Sequence, residues 1–181
     1  MTPIETLKHE HQVILLVLGA VDKEVQFIRA FAKVDAGRVT KMLDFIRNFA
    51  DRCHHAKEED ILFVRMQAKG MPRNAGPLAV MFQEHNLGRQ KVAALAEALP
   101  KAQSGDTTAI AAVADNLEFY ANLLRAHIHK EDNILYPMAE RIISPDEMTE
   151  IAAAFDRVEA GEMGEGTHER FHQLAHELAK V

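Results

Sequence analysis

Two segments of the sequence repeat one arrangement of imidazole and carboxylate. Arg125, His127, Glu131 and Asp132 lead into Ile134-Leu135-Tyr136-Pro137, and Arg52, His54, Glu58 and Glu59 lead, at the same offsets, into Ile61-Leu62-Phe63. In each segment a histidine stands four residues before a glutamate, about one helical turn, so both side chains leave the same face of a helix. Two further histidines each follow a glutamate, as Glu10-His11 and Glu84-His85. From His11 to His54 is 43 residues and from His85 to His127 is 42, so each half of the chain supplies one lone histidine and one histidine–glutamate pair. Four imidazole nitrogens with two carboxylates suit iron, manganese or zinc; calcium and magnesium take oxygen donors. Six donors are too many for one closed tetrahedral zinc site. A buried glutamate without a counter-charge costs several kcal/mol or becomes neutral. Two such glutamates facing one core therefore imply cations between them.

The elements that carry these residues are helices. Apolar residues recur with a period near 3.6 almost throughout, and no stretch alternates with period two. Thr2-Pro3-x-Glu5 is a capping box that starts helix 1 at the terminus, running to about Val34. Helix 2 is expected over 36–69, stopping at Gly70 before Pro72. Pro77 opens helix 3, which is expected to end near Pro100. Asp106 caps helix 4, which reaches about Ile143 with Pro137 as a candidate kink. Ser144-Pro145-x-Glu147 starts a short helix 5 to about Glu159, "AGEMGEG" reads as a flexible link, and Thr167 caps helix 6. The pattern predicts an all-α fold, an up-down-up-down four-helix bundle over 1–143 with a helical extension over 144–181 packed on it.

Helical phase, at about 100° per residue, sorts the polar residues. In helix 1, His11 takes one place in the stripe Ile4, Leu7, Ile14, Leu18, Val21, Val25, Ile28, and His9 lies off it. In helix 4, Tyr120, Leu123, Leu124, Ile134 and Met138 surround His127, with Glu131 on the same side and His129 opposite. In helix 2, Leu43, Ala50, Ile61 and Val64 define the buried side; His54 and Glu58 lie nearer to it than His55 and Glu59, and Glu59 faces outward. Leu78, Met81, Phe82, Val92 and Ala96 flank His85 in helix 3. Glu10 and Glu84 are placed to orient imidazoles.

Composition narrows the function classes. The chain has 181 residues, net charge −6 and no basic stripe, which argues against nucleic acid. No apolar run is long enough for a membrane span, and a single Cys with no signal-like start predicts a cytoplasmic protein. Cys53 reads as a small buried hydrophobe, Tyr120 and Tyr136 as packing aromatics or relays, and the row His168, His172, His176 as a half-exposed edge of helix 6.

With the set H…HxxxE…H…HxxxE in place, the sequence resembles the hemerythrin-like (HHE cation-binding) family over roughly residues 5–140. The ferritin-like motif has the opposite order, a glutamate three residues before a histidine. The resemblance implies a non-haem pair of iron ions, oxo- or hydroxo-bridged, with zinc or manganese as substitutes. It makes His11, His54, His85 and His127 terminal ligands and Glu58 and Glu131 bridges. The oxygen carriers of the family have a fifth histidine one turn after the helix 3 ligand, where this chain has Arg89; His55 takes that role only if helix 2 is rotated. Family members with six protein ligands are linked to nitric oxide, peroxide or iron–sulfur repair rather than oxygen carriage. The resemblance thus implies a protein that binds, senses or detoxifies a small ligand (dioxygen, nitric oxide or hydrogen peroxide) in a pocket of Leu, Ile, Phe and Met, with an electron-transfer partner. A peroxidase- or ferroxidase-like enzyme and an iron-donating cluster-repair protein are the alternatives.

Overall fold

The second residue decides how the chain begins. Thr2 Oγ1 accepts from the Glu5 N–H at 3.2 Å and the Glu5 carboxylate accepts from the Thr2 N–H at 2.7 Å. With Pro3 in the first turn, helix α1 runs Pro3–Phe31. It stops short of the expected Val34 because Ala32 turns left-handed (φ 51°) and gives its N–H to the Ile28 carbonyl. The computed structural model describes residues 1–161 and 166–180, and every element among them is helical. The centre of the expected flexible link, 162–165, lies outside the described residues.

Helix α2 covers 36–68, capped by Asp35, and ends before Gly70, whose φ of 95° suits glycine alone. Helix α3, Gly76–Gln103, passes through Pro100, the expected end. That proline sits in the last turn, where one missing N–H bond is tolerated and Ala102 still reaches the core. Helix α4 covers 107–142 under an Asp106 cap, α5 is Pro145–Gly161 behind the Ser144–Glu147 capping box, and α6 is Thr167–Ala179. Gly166, one residue before the expected Thr167, occupies the cap of α6.

Helices α2 and α4 are not regular. Wide π-type turns occupy Ile46–His55 and Glu58–Leu62 in α2 and Glu131–Leu135 in α4. The Phe63 N–H reaches five residues back to the Glu58 carbonyl, and the Tyr136 N–H does the same to Glu131. In α4 the turn comes just before Pro137, which has no N–H for a regular bond, so the expected kink takes this form. Each wide turn absorbs an extra residue and slips the phase beyond it. Ile134 and Val64, expected inside, are each 52% exposed, and Ile61 and Met138 are only half-buried. Leu62, Phe63, Leu135 and Tyr136 are buried in their place.

Helix α4 packs between α1 and α3, α2 meets both α1 and α3, and α5 and α6 lie against α1 and α2. The apolar core falls into two clusters. The smaller gathers Ile4 and Leu7 of α1, Leu62 and Phe63 of α2, Leu78 and Met81 of α3, Leu135 and Tyr136 of α4, and Ile151 and Phe155 of α5. The larger begins at Val13, ends along α2 at Ala50, begins along α3 at Val92, and includes Phe171, Ala175 and Leu178 of α6. Glu10, His11, His54, Glu58, His85 and Glu131 fall between the two, a buried polar layer across all four long helices.

Candidate metal centre

All six residues singled out by spacing converge in that layer. His11, His54, His85, His127, Glu58 and Glu131 are each no more than 2% exposed. Glu131 lies 3.2 Å from His11 Nε2 and 3.0 Å from His127 Nε2; Glu58 lies 3.4 Å from His85 Nε2 and 3.8 Å from His54 Nε2. The pairs His11–His54 and His85–His127 have the same ring geometry, centroids 4.6 Å apart with planes at 60° and 63°. His129 is exposed, as its phase predicts.

The outward nitrogen of every one of these rings is held by a carboxylate from a neighbouring helix. His54 Nδ1 donates to Glu10 at 2.8 Å, His127 to Glu84 at 2.9 Å, His11 to Asp132 at 2.8 Å and His85 to Glu59 at 2.6 Å. An ionised carboxylate only accepts, so Nδ1 carries the proton and Nε2 presents its lone pair inward. Lys57 and Lys130 brace Glu10 and Glu84 in turn. The expectation that Glu10 and Glu84 orient imidazoles fits this geometry, whereas Glu59, expected to face outward, bonds His85. Asp132 and Glu59 had a signal in the repeat, each standing one residue after a glutamate of the site.

Charge follows from this lacing. Burial opposes protonation of His11, yet hydrogen bonds to Asp132 and Glu131 and the nearby carboxylate charges raise it to about 9. Burial is likewise overcome at His127, which the charge and hydrogen bond of Glu131 raise to about 10. Burial would raise Glu131, but the His127 charge and the bonds from His11 and His127 hold it well below the ordinary carboxylate range. Burial should also raise Glu10, yet His168, His54 and Lys57 keep it low. Protons on His11 and His127 thus balance Glu131 where cations would otherwise do so.

The donor set also passes a test for metal. Buried polar atoms without a hydrogen-bond partner include Glu58 Oε2, both carboxylate oxygens of Glu131 and His55 Nε2. Leaving such atoms bare costs about 1–3 kcal/mol each, more when charged, which a bound cation would recover. One donor atom each from His11, His54, Glu58 and Glu131 lie within 4.8 Å of one another, and so do donors of His55, Glu58, His85 and His127. The second group brings in His55, which the wide turn Ile46–His55 rotates inward until it is 5% exposed. Burial and the neighbouring His85 push His55 well below the ordinary imidazole range.

A cavity of about 160 Å³ reaches His55, His85 and His127 between α2, α3 and α4. Its walls are Ile46, Val92, Tyr120, Leu123 and Leu124 with Arg47, Asp51 and Arg89, so the Phe and Met expected there are replaced by Tyr120 and charged groups. Tyr136 does more than pack: its hydroxyl donates to Glu58 Oε1 at 2.6 Å. Cys53 is buried, and burial together with the Glu10 charge pushes its thiol up to about 12, so it stays protonated. His168 and His172 are half-buried and His176 exposed, in keeping with an edge.

The profile of the hemerythrin HHE cation binding domain matches residues 2–139. The chain belongs to this hemerythrin HHE family. Among similar proteins, the iron–sulfur cluster repair protein YtfE of Musicola paradisiaca is 35% identical over 140 residues, covering 74% of this chain and 60% of that protein. The uncharacterized protein Rv1995 of Mycobacterium tuberculosis is 23% identical over 165 residues, 91% of this chain and 64% of that one. The hemerythrin HHE chain therefore spans less than two thirds of the length of these relatives. No solved structure matches it significantly. Among the described residues no helix is long and apolar enough to cross a membrane. Family and geometry together support a non-haem metal, iron, as the cofactor of this hemerythrin HHE chain.

Proposed function

We propose that the chain holds two iron ions in the polar layer and uses them to bind, sense or detoxify a small ligand: dioxygen, nitric oxide or hydrogen peroxide. The observation that carries this reading is the pair of fully buried glutamates whose inward oxygens lack partners while four carboxylate-held imidazoles point at them. His11, His54, His85 and His127 would be the terminal ligands, with Glu58 and Glu131 shared between the ions. When bound, the pair would supply open coordination positions and one-electron chemistry. The protein's part is to fix ring orientation through Glu10, Glu59, Glu84 and Asp132, and to keep water scarce with an apolar cluster on each side. The cavity at His55, His85 and His127 is narrow enough to favour a ligand of few atoms.

The proposal includes an up-down-up-down bundle over 1–143. In its favour, the smaller apolar cluster gathers the start of α1, the end of α2, the start of α3 and the end of α4. Residues 144–181 are proposed as an extension whose Phe171, Ala175 and Leu178 join the bundle core. We place the protein in the cytoplasm, in keeping with its free Cys53, and expect a separate electron donor.

A second reading is favoured by the 35% identity to a protein named for iron–sulfur cluster repair: the iron pair would serve repair rather than ligand capture. Metal analysis and the optical spectrum of protein purified without chelators test the shared core. Two irons per chain with near-ultraviolet charge-transfer bands are expected; one zinc and a featureless spectrum would refute it. Stopped-flow mixing of reduced protein with oxygen, nitric oxide and peroxide then divides the readings. A stable adduct favours capture, turnover favours an enzyme, and inertness to all three with ready loss of iron to a chelator favours repair.

A further inference from the structure

The two halves of the site match residue for residue except at two buried positions. His54, Glu58 and Lys57 correspond to His127, Glu131 and Lys130, but His55 corresponds to Ile128 and Phe63 to Tyr136. These exceptions fall on one half of the layer each, so the two metal positions cannot be equivalent. We infer that His55 is a fifth imidazole donor, completing the position next to the cavity with His85, His127 and Glu58, while the other position has only His11 and His54 as nitrogen donors. This rests on the proposed metal pair.

His55 is built in the same way as the four histidines already assigned. Its Nδ1 donates to Asp51 at 3.3 Å, its Nε2 is buried with no partner, and a donor atom lies within 4.8 Å of those of Glu58, His85 and His127. Its ring stacks on His85 at 3.9 Å with planes 19° apart, so the two side chains enter the site side by side. A core histidine kept only for packing would not need its inward nitrogen bare, since burying an unpaired polar atom is unfavourable.

Arg89 ties the arrangement together. Its guanidinium bonds Asp51 at 2.8 Å and Glu59 at 2.9 Å, the two carboxylates that hold His55 and His85. One cation thereby fixes both rings from outside the layer. The wide turn Ile46–His55 supplies the missing rotation, since a regular helix would turn His55 away from the site.

The experiment is an anaerobic titration of the metal-free full chain with Co2+, followed by visible absorption and by competition with a chelator. Wild type is expected to take up two ions. In His55→Gln, one binding constant should weaken by at least about tenfold, with a shifted spectrum for that ion, and the other should stay put. Asp51→Ala, which keeps every donor, should weaken the same constant by about 10–100-fold, the range for partners that orient a ligand. His129→Gln should titrate as wild type. If wild type takes two ions and both His55→Gln and Asp51→Ala match it in affinity and spectrum, the fifth donor is refuted and the metal pair stands. If wild type takes fewer than two, the metal pair itself is wrong and this inference goes with it. Should His55→Gln fail to fold, Asp51→Ala decides alone.

Discussion

Glu58 and Glu131 hold equivalent places in the two halves but have different neighbours. The Tyr136 hydroxyl donates to Glu58 Oε1 at 2.6 Å, while Phe63, its counterpart, offers Glu131 nothing. Phe already fills the equivalent space in the other half, so Tyr136→Phe removes one hydrogen bond with little change of shape. A bond to a buried carboxylate contributes about 1.5–3 kcal/mol, and the metal-free variant should lose stability in that range by urea unfolding. Two metals should still bind, because the hydroxyl is not needed as a donor. Glu131→Gln is the contrasting change. It removes the charge that His11 and His127 share, and metal uptake should fall below two ions per chain by elemental analysis. His129→Gln, at an exposed position on the same helix, should leave uptake at two. Equal damage from the His129 change would mean that the inward face of α4 has been misassigned.

At the scale of the helix, the wide turns decide which side chains are inside. Deleting exposed Asp60 from the turn Glu58–Leu62 would restore a regular turn and swing the following residues about 100° around the axis. Leu62 and Phe63, both fully buried, would leave the core, and each such side chain contributes about 1.5–3 kcal/mol. The deletion should therefore lower the melting temperature sharply and abolish metal uptake; a variant as stable as wild type would show that the wide turn has no positional role. This also explains what the sequence could and could not disclose. The six inward residues were legible because a histidine and a glutamate four apart share a face whether the turn is regular or slightly wide. Leu62, Phe63, Leu135 and Tyr136 were not placed, because phase counted at 100° per residue runs one position out beyond each wide turn. Only α4 carried a local hint, Pro137; α2 makes the same turn with no proline. His55 was read as peripheral for the same reason. Glu59 and Asp132 were hidden differently: their partners lie on other helices, and single-helix phase cannot reveal a cross-helix bond.

For the molecule as a whole, the polar layer makes stability, protonation and metal binding one linked equilibrium. With no cation bound, His11 and His127 titrate near 9 and 10 instead of the ordinary 6.5. A group whose folded value is raised adds stability that is fully present below its unfolded value and disappears as pH rises through the folded one. The metal-free protein should therefore keep this contribution below about pH 6.5 and lose it progressively toward pH 10. Glu131, held low, adds stability above its ordinary value of 4.5 that is lost as pH falls well below it. A metal needs the same Nε2 lone pairs that those protons occupy, so loading near pH 7 should release protons to solvent and affinity should rise with pH. Binding confined to the folded state stabilises it by about 2.7 kcal/mol when free metal is a hundred times the dissociation constant. The urea midpoint of metal-free protein should thus fall between pH 7 and pH 10, while that of the ferrous protein, measured without oxygen, should hold or rise across the same interval. Parallel curves with and without iron, together with no proton uptake or release on loading in a weakly buffered titration, would mean that the metal sits somewhere other than between these histidines and glutamates.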